Sequence, residues 1–170
     1  MPRAHDALKK IQIVNAEYAK ISGRSYGNGL IDAYKLDDAE IAIVVVGSTA
    51  GTLKVIVDEL RGEGVKAGLL RIRTYRPFPA EDIKTALRNV KVIAVMDKSM
   101  GPGAQTGTVF SEVRNALFDL KQRPLTTSYI FGLGGRDTPP RELKRIYEEL
   151  IRAARTGQVD ALVHYLGLKE

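Results

Sequence analysis

From residue 41 onward, short continuous apolar runs alternate with longer segments whose apolar residues recur every three or four positions. "IAIVVVG" (41–47), rich in β-branched residues, predicts a strand buried on both faces. Leu53, Ile56, Val57 and Leu60 then fall at helical spacing, and "GEG" (62–64) ends that helix. "VKAGLLRIRTY" (65–75) predicts a second strand. The helix after it places Ile83, Ala86, Leu87 and Val90 on one face, with Pro79 at its entry. Glu81 and Asp82 lie in its first turn, where the helix dipole favours acids. "KVIAVMD" (91–97) predicts a third buried strand, followed by a helix carrying Phe110, Val113, Leu117 and Leu120. "LTTSYIFGLGG" (125–135) predicts the fourth strand. Thr138 is placed to cap the last long helix, whose apolar face is Leu143, Ile146, Tyr147 and Leu150. Strand then helix, repeated, predicts an α/β fold: three α/β/α layers around a mostly parallel sheet.

The two ends break this rhythm. Residues 1–40 predict a helical arm, "HDALKKIQIVNAEYAKISGRSY", followed by an extended linker with turns. The α/β unit is expected over 41–155, and the tail 156–170, "TGQVDALVHYLGL" within it, predicts one short last helix.

Composition narrows the chemistry. The 170 residues, 44% hydrophobic and 27% charged, suit a single globular core rather than a disordered chain. No apolar run approaches the roughly 20 residues that span a bilayer, and "MPRAHDALKK" lacks the apolar core of a signal peptide. No membrane association and a cytoplasmic location are expected. With no cysteine, the chain can form no disulfide and supply no thiolate to an iron–sulfur cluster. His5 and His164 lie far apart in sequence, so histidine ligation or catalysis has little support. The net charge of +6 is spread among 20 acidic residues, and aromatics make up only 6%, so no nucleic-acid partner is expected.

In an open α/β sheet, ligands bind beyond the carboxyl ends of the strands. Four segments fall there: "GSTAG" (47–51), "RTYRPFP" (73–79), "DKSMGPGAQTG" (97–107) and "GLGGRDTPP" (132–140). "GSTAG" lacks the Lys-Ser/Thr of a phosphate-binding P-loop and reads as a turn, with Ser48 or Thr49 capping the helix or meeting an anion. The glycines of "GPGAQTG" are one residue too widely spaced for the dinucleotide fingerprint, and they follow the third strand instead of the first. This loop therefore reads as a shaped surface loop that carries contacts. Arg71, Arg73 and Arg76 could fork an anion or meet a neighbouring subunit. Arg136 and Asp137 could pair with each other or with a partner.

Taken as a set, "GRSYGNGLIDAYKLDDAEIAIVVVGSTAGTLKVIVDELR", "GLLRIRTYRPFP", "VIAVMDKSMGPGAQTGTVFSEV" and "YIFGLGGRDTPP" resemble the C-terminal part of the alpha subunit of the 2-oxoacid:ferredoxin oxidoreductases, pyruvate synthase above all. The resemblance implies a transketolase C-terminal-like domain. It implies membership of a complex that turns pyruvate, CoA and oxidised ferredoxin into acetyl-CoA, CO2 and reduced ferredoxin. Thiamine diphosphate, Mg2+ and [4Fe-4S] clusters are then expected elsewhere in the complex, with none bound by this chain. The family's pyrimidine-binding domain has no counterpart here, so a fragment or a split subunit, inactive by itself, is expected. No residue is carried over as catalytic, cofactor-binding or metal-binding. Thr49, Arg73, Arg76, Lys98, Gly101, Gln105, Arg136 and Asp137 are the expected interface or anion-contact residues. The expected partners are the other subunits or domains, with ferredoxin and CoA reached through the complex. Self-association is left open. The alternative is a freestanding α/β module that uses "GSTAG" and the arginines to hold a nucleotide or phosphate.

Overall fold

The computed structural model describes residues 2–167. The arm is helix α1 (Pro2–Ser22), and the linker after it contains strand β1 (Ile31–Tyr34). The alternation follows: β2 (Ile41–Val46), α2 (Thr49–Gly62), β3 (Ala67–Ile72), α3 (Ala80–Leu87), β4 (Val92–Asp97), α4 (Thr108–Leu117) and β5 (Leu125–Ile130). A short 3-10 turn (Leu133–Gly135) leads to α5 (Pro140–Thr156) and then β6 (Val163–Tyr165).

The strands form one six-stranded sheet in the order β1-β3-β2-β4-β5-β6, parallel except for β1. Alternation along the two central strands builds the layers. Ile41, Ile43 and Val45 of β2 and Ala94 and Met96 of β4 pack against α2 and α5. Ala42 and Val44 of β2 and Ile93 and Val95 of β4 pack against α3 and α4. Both faces are therefore covered, which is why these strands read as unbroken apolar runs.

Two elements differ from the sequence reading. The linker supplies an antiparallel edge strand, with Ile31 opposite Ile72 and Tyr34 opposite Leu69. The tail extends as β6 beside β5 instead of forming a helix, because the β5 edge offers it a ladder: Ser128 N–H donates to Leu162 O and Leu166 N–H to Ile130 O. Thr138 does not cap α5; Pro139 holds that position and Pro140 opens the helix, where a missing N–H costs nothing. Helix α1 is tied to the body by Asn15, whose Nδ2 donates to Gly27 O at 3.2 Å, and it leaves Val14, Tyr18 and Ile21 exposed.

Gly68 of β3 locks three elements together. A Cβ there would sit 2.6 Å from Leu36 Cδ2 and 2.9 Å from Ala39 Cβ, on the α3/α4 side. From the opposite layer, the buried Tyr147 hydroxyl of α5 donates to Gly68 O at 2.9 Å.

Candidate functional site

Helix α2 carries the chain from β2 to β3 on one face of the sheet, and α3 then crosses the other face to β4 on the far side of β2. The connections after β2 and β4 thus run to opposite faces. Between their carboxyl ends lies the topological switch point, where α/β sheets hold ligands. A cleft of about 520 Å³ opens there. Val46, Tyr75, Met96 and Phe131 give it apolar walls, and Ser48 and Lys98 stand among its polar groups. A second hollow, about 320 Å³, adjoins it through the shared Ser48, Lys98 and Phe131 and reaches Thr49, Arg136 and Asp137.

The two loops that frame the switch point treat their helices differently. After β4, Asp97 is 3% exposed, and its carboxylate accepts the N–H groups of Val109 (2.7 Å) and Phe110 (3.1 Å). These are free donors of the first turn of α4, so the strand end caps the helix that follows it. Burial pushes the Asp97 pKa up, against the lowering effect of those two N–H groups. Gly107 at the helix entry makes this contact possible, because a Cβ there would lie 2.2 Å from Asp97 Cγ and 2.3 Å from its Oδ2. Residues 101–106 loop outward between the Met100–Gly107 bridge, closed by Ala104 N–H donating to Gly101 O at 3.0 Å. Lys98 and Gln105 are exposed on this loop, and the Lys98 ammonium lies 5.6 Å from the centroid of the Phe131 ring. After β2, by contrast, Ser48 at the start of α2 has a helical backbone and makes no side-chain cap bond.

The arginines do not converge into a fork. Arg73 donates to Tyr26 O and lies over the Tyr26 ring. Arg76 pairs with Glu112 of α4 at 2.6 Å and stacks on Tyr75, 4.1 Å from its centroid. Arg71 is half-buried, and its Nε has no partner among the described residues. Arg136 donates to Gly167 O rather than to Asp137. Of the eight residues singled out from sequence, the second hollow gathers Thr49, Lys98, Arg136 and Asp137. Arg73, Arg76, Gly101 and Gln105 do not line either hollow. Sequence reasoning missed Asp97, Gly107, Tyr75 and Phe131. The one readable signal was an acid ending a buried strand just before a glycine-rich loop.

A family model described as pyruvate:ferredoxin oxidoreductase core domain II matches residues 39–143. The chain belongs to this family. Pyruvate synthase subunit PorA of Methanocaldococcus jannaschii is 42% identical over 164 residues, covering 96% of this chain and 40% of that one. PorA of Methanosarcina barkeri is 39% identical over the same shares. Ketoisovalerate oxidoreductase subunit VorA of Pyrococcus horikoshii is 38% identical over 168 residues, 98% of this chain and 42% of that one. The core domain II chain thus spans about 40% of the length of the curated relatives it matches. Its fold is that of solved enzymes. A 2-oxoglutarate:ferredoxin oxidoreductase from Magnetococcus marinus gives a TM-score of 0.54 at 16% identity, over 79% of this chain and 21% of that one. A split-gene transketolase gives 0.52 at 14% identity, over 68% and 39%. The three-layer α/β/α reading and the resemblance to the alpha subunits of these oxidoreductases both hold.

Proposed function

We propose that this chain is part of the alpha subunit of a pyruvate (2-oxoacid):ferredoxin oxidoreductase, converting pyruvate, CoA and oxidised ferredoxin to acetyl-CoA, CO2 and reduced ferredoxin. The observation that carries the reading is 42% identity to PorA along 96% of the chain. The chain supplies architecture, and the chemistry resides in the rest of the complex. Its own residues do not fit the cofactors the family implies. It has no cysteine for [4Fe-4S] clusters and no Gly-Asp-Gly stretch for a thiamine diphosphate–Mg2+ site. The Val109 and Phe110 amides at the start of α4 are already taken by Asp97.

In this reading the carboxyl edge faces the remaining subunits or domains. Thr49, Lys98, Arg136 and Asp137 meet them around the hollow beside α2, and Gly101 and Gln105 meet them from the projecting loop. Arg73 and Arg76 serve by holding the "RTYRPFP" loop in place through Tyr26 and Glu112. The test is co-expression of the chain with the remaining subunits of its oxidoreductase. Co-purification and pyruvate-dependent ferredoxin reduction by the assembled complex, lost when the chain is omitted, are expected. A complex of full activity without the chain would overturn the proposal. Light scattering on the isolated chain reports whether it also associates with itself.

A further inference from the structure

We propose that the cleft between the carboxyl ends of β2 and β4 binds a small aromatic carboxylate, with Lys98 as its charge partner. This goes beyond the subunit role and concerns the free chain, where Lys98 is not engaged by a neighbouring subunit. The volume, about 520 Å³, lies within the range of small-molecule sites, and its position is the switch point where α/β folds place them.

The lining selects the ligand. Val46 is the one exposed residue of β2, at 37%, and it forms apolar wall together with the rings of Tyr75 and Phe131. An apolar body therefore gains by entering. The Tyr75 hydroxyl is shielded from solvent, so Tyr75 offers the cleft wall rather than a polar anchor.

Charge decides the sign. Two ionisable groups of opposite sign line the cleft, Asp97 and Lys98. Both oxygens of Asp97 are spent on the first-turn amides of α4. Lys98 makes no ion pair among the described residues and is exposed above the Phe131 ring. A carboxylate entering the cleft meets the ammonium without displacing an existing partner, and a cation meets no free acid.

The experiment is an amide-NMR titration of the isotope-labelled 170-residue chain with indole-3-acetate, indole and tryptamine as probes. Indole-3-acetate is expected to shift the amides of Gly47, Ser48, Lys98, Ser99 and Thr108 saturably, with a Kd of about 1 mM or tighter, the scale for a dozen-atom ligand. Tryptamine is expected to bind more weakly. Lys98→Met should weaken indole-3-acetate by about fivefold, the worth of one partly exposed ion pair, and leave neutral indole unchanged. Val46→Glu, on an exposed position, should abolish binding of the anion by repulsion. Unchanged melting of both variants shows that they remain folded. Absence of saturable shifts, shifts centred elsewhere, or equal affinity of wild type and Lys98→Met would overturn the proposal. None of these outcomes bears on subunit assembly, which is read separately by co-purification.

Discussion

The loops after β2 and β4 leave neighbouring strands at one edge, both contain glycine, and both enter a helix, yet one is closed and the other open. After β4, a buried carboxylate from the strand occupies the helix start, and a glycine is needed so that it can approach. After β2, no side chain caps the helix, and a Cβ on Gly51 would meet nothing within 4 Å. Glycine count thus says little about ligand binding; what matters is whether the amides of the next helix already have an acceptor. The richer glycine loop is the one whose Val109 and Phe110 amides already have an acceptor.

Substituting the two glycines should separate the loops most sharply. Gly107→Ala forces a Cβ into Asp97 and should destabilise the fold by about 3 kcal/mol, the upper range for overpacking. In a thermal melt of a chain this size, that lowers Tm by roughly 6–12 °C. Gly51→Ala, inside α2 and in open space, should raise stability by about 0.5–1 kcal/mol, because alanine suits a helix better. A destabilised Gly51→Ala would erase the distinction between the loops.

The capping residues give the next largest difference. Asp97→Ala should cost about 2 kcal/mol in denaturant unfolding, because it strands the amides of Val109 and Phe110. Ser48→Ala should stay within about 0.5 kcal/mol, since Ser48 makes no cap bond. A smaller effect concerns the Arg76–Glu112 pair, which fastens the "RTYRPFP" loop to α4. Its partners are 55% and 30% exposed, so a double-mutant cycle should return a coupling of about 0.5 kcal/mol.

The finest test is pH. Burial raises the Asp97 pKa in the folded protein, so the fold binds its proton more tightly than the unfolded chain does. That contribution is fully present below the ordinary carboxylate value and is lost as pH rises through the raised one. The stability gap between wild type and Asp97→Asn should therefore narrow as pH rises from the acid side. Asp38, Glu40 and Asp58, held below their ordinary values by Arg61, Lys91 and Lys35, lose stability as pH falls instead. They are shared by both proteins and cancel in the difference. A gap that widens with rising pH would contradict the assignment of Asp97.

The four buried parallel strands and the helices between them were legible because burial on both faces forces continuous apolar runs, and helices facing a sheet show apolar stripes. β1 and β6 were not. Each is short, each lies at an edge, and "IDAY" and "VHY" carry polar residues that mask any run. Their structure comes from ladder bonds to a neighbour, which single-strand patterning does not encode. At the site, the four carboxyl-edge loops could be named from alternation alone. The cleft could not, because it depends on β4 lying beside β2 on the side away from β3, and strand order is a tertiary fact. Asp97 was hidden for a similar reason: its partners are the backbone amides of Val109 and Phe110, which carry no residue-type signature.

Gly68 has a consequence for how the molecule opens. Its missing side chain admits Leu36 and Ala39 from one layer, and its carbonyl receives Tyr147 from the other. No partial opening can free this part of β3 without also lifting α5 or displacing the turn ahead of β2. Amide protons of Leu69 and Leu70 should thus exchange with deuterium only through global unfolding, while those of β6 and α1 exchange through local fraying. The slow-exchanging centre of the molecule is built around a residue with no side chain.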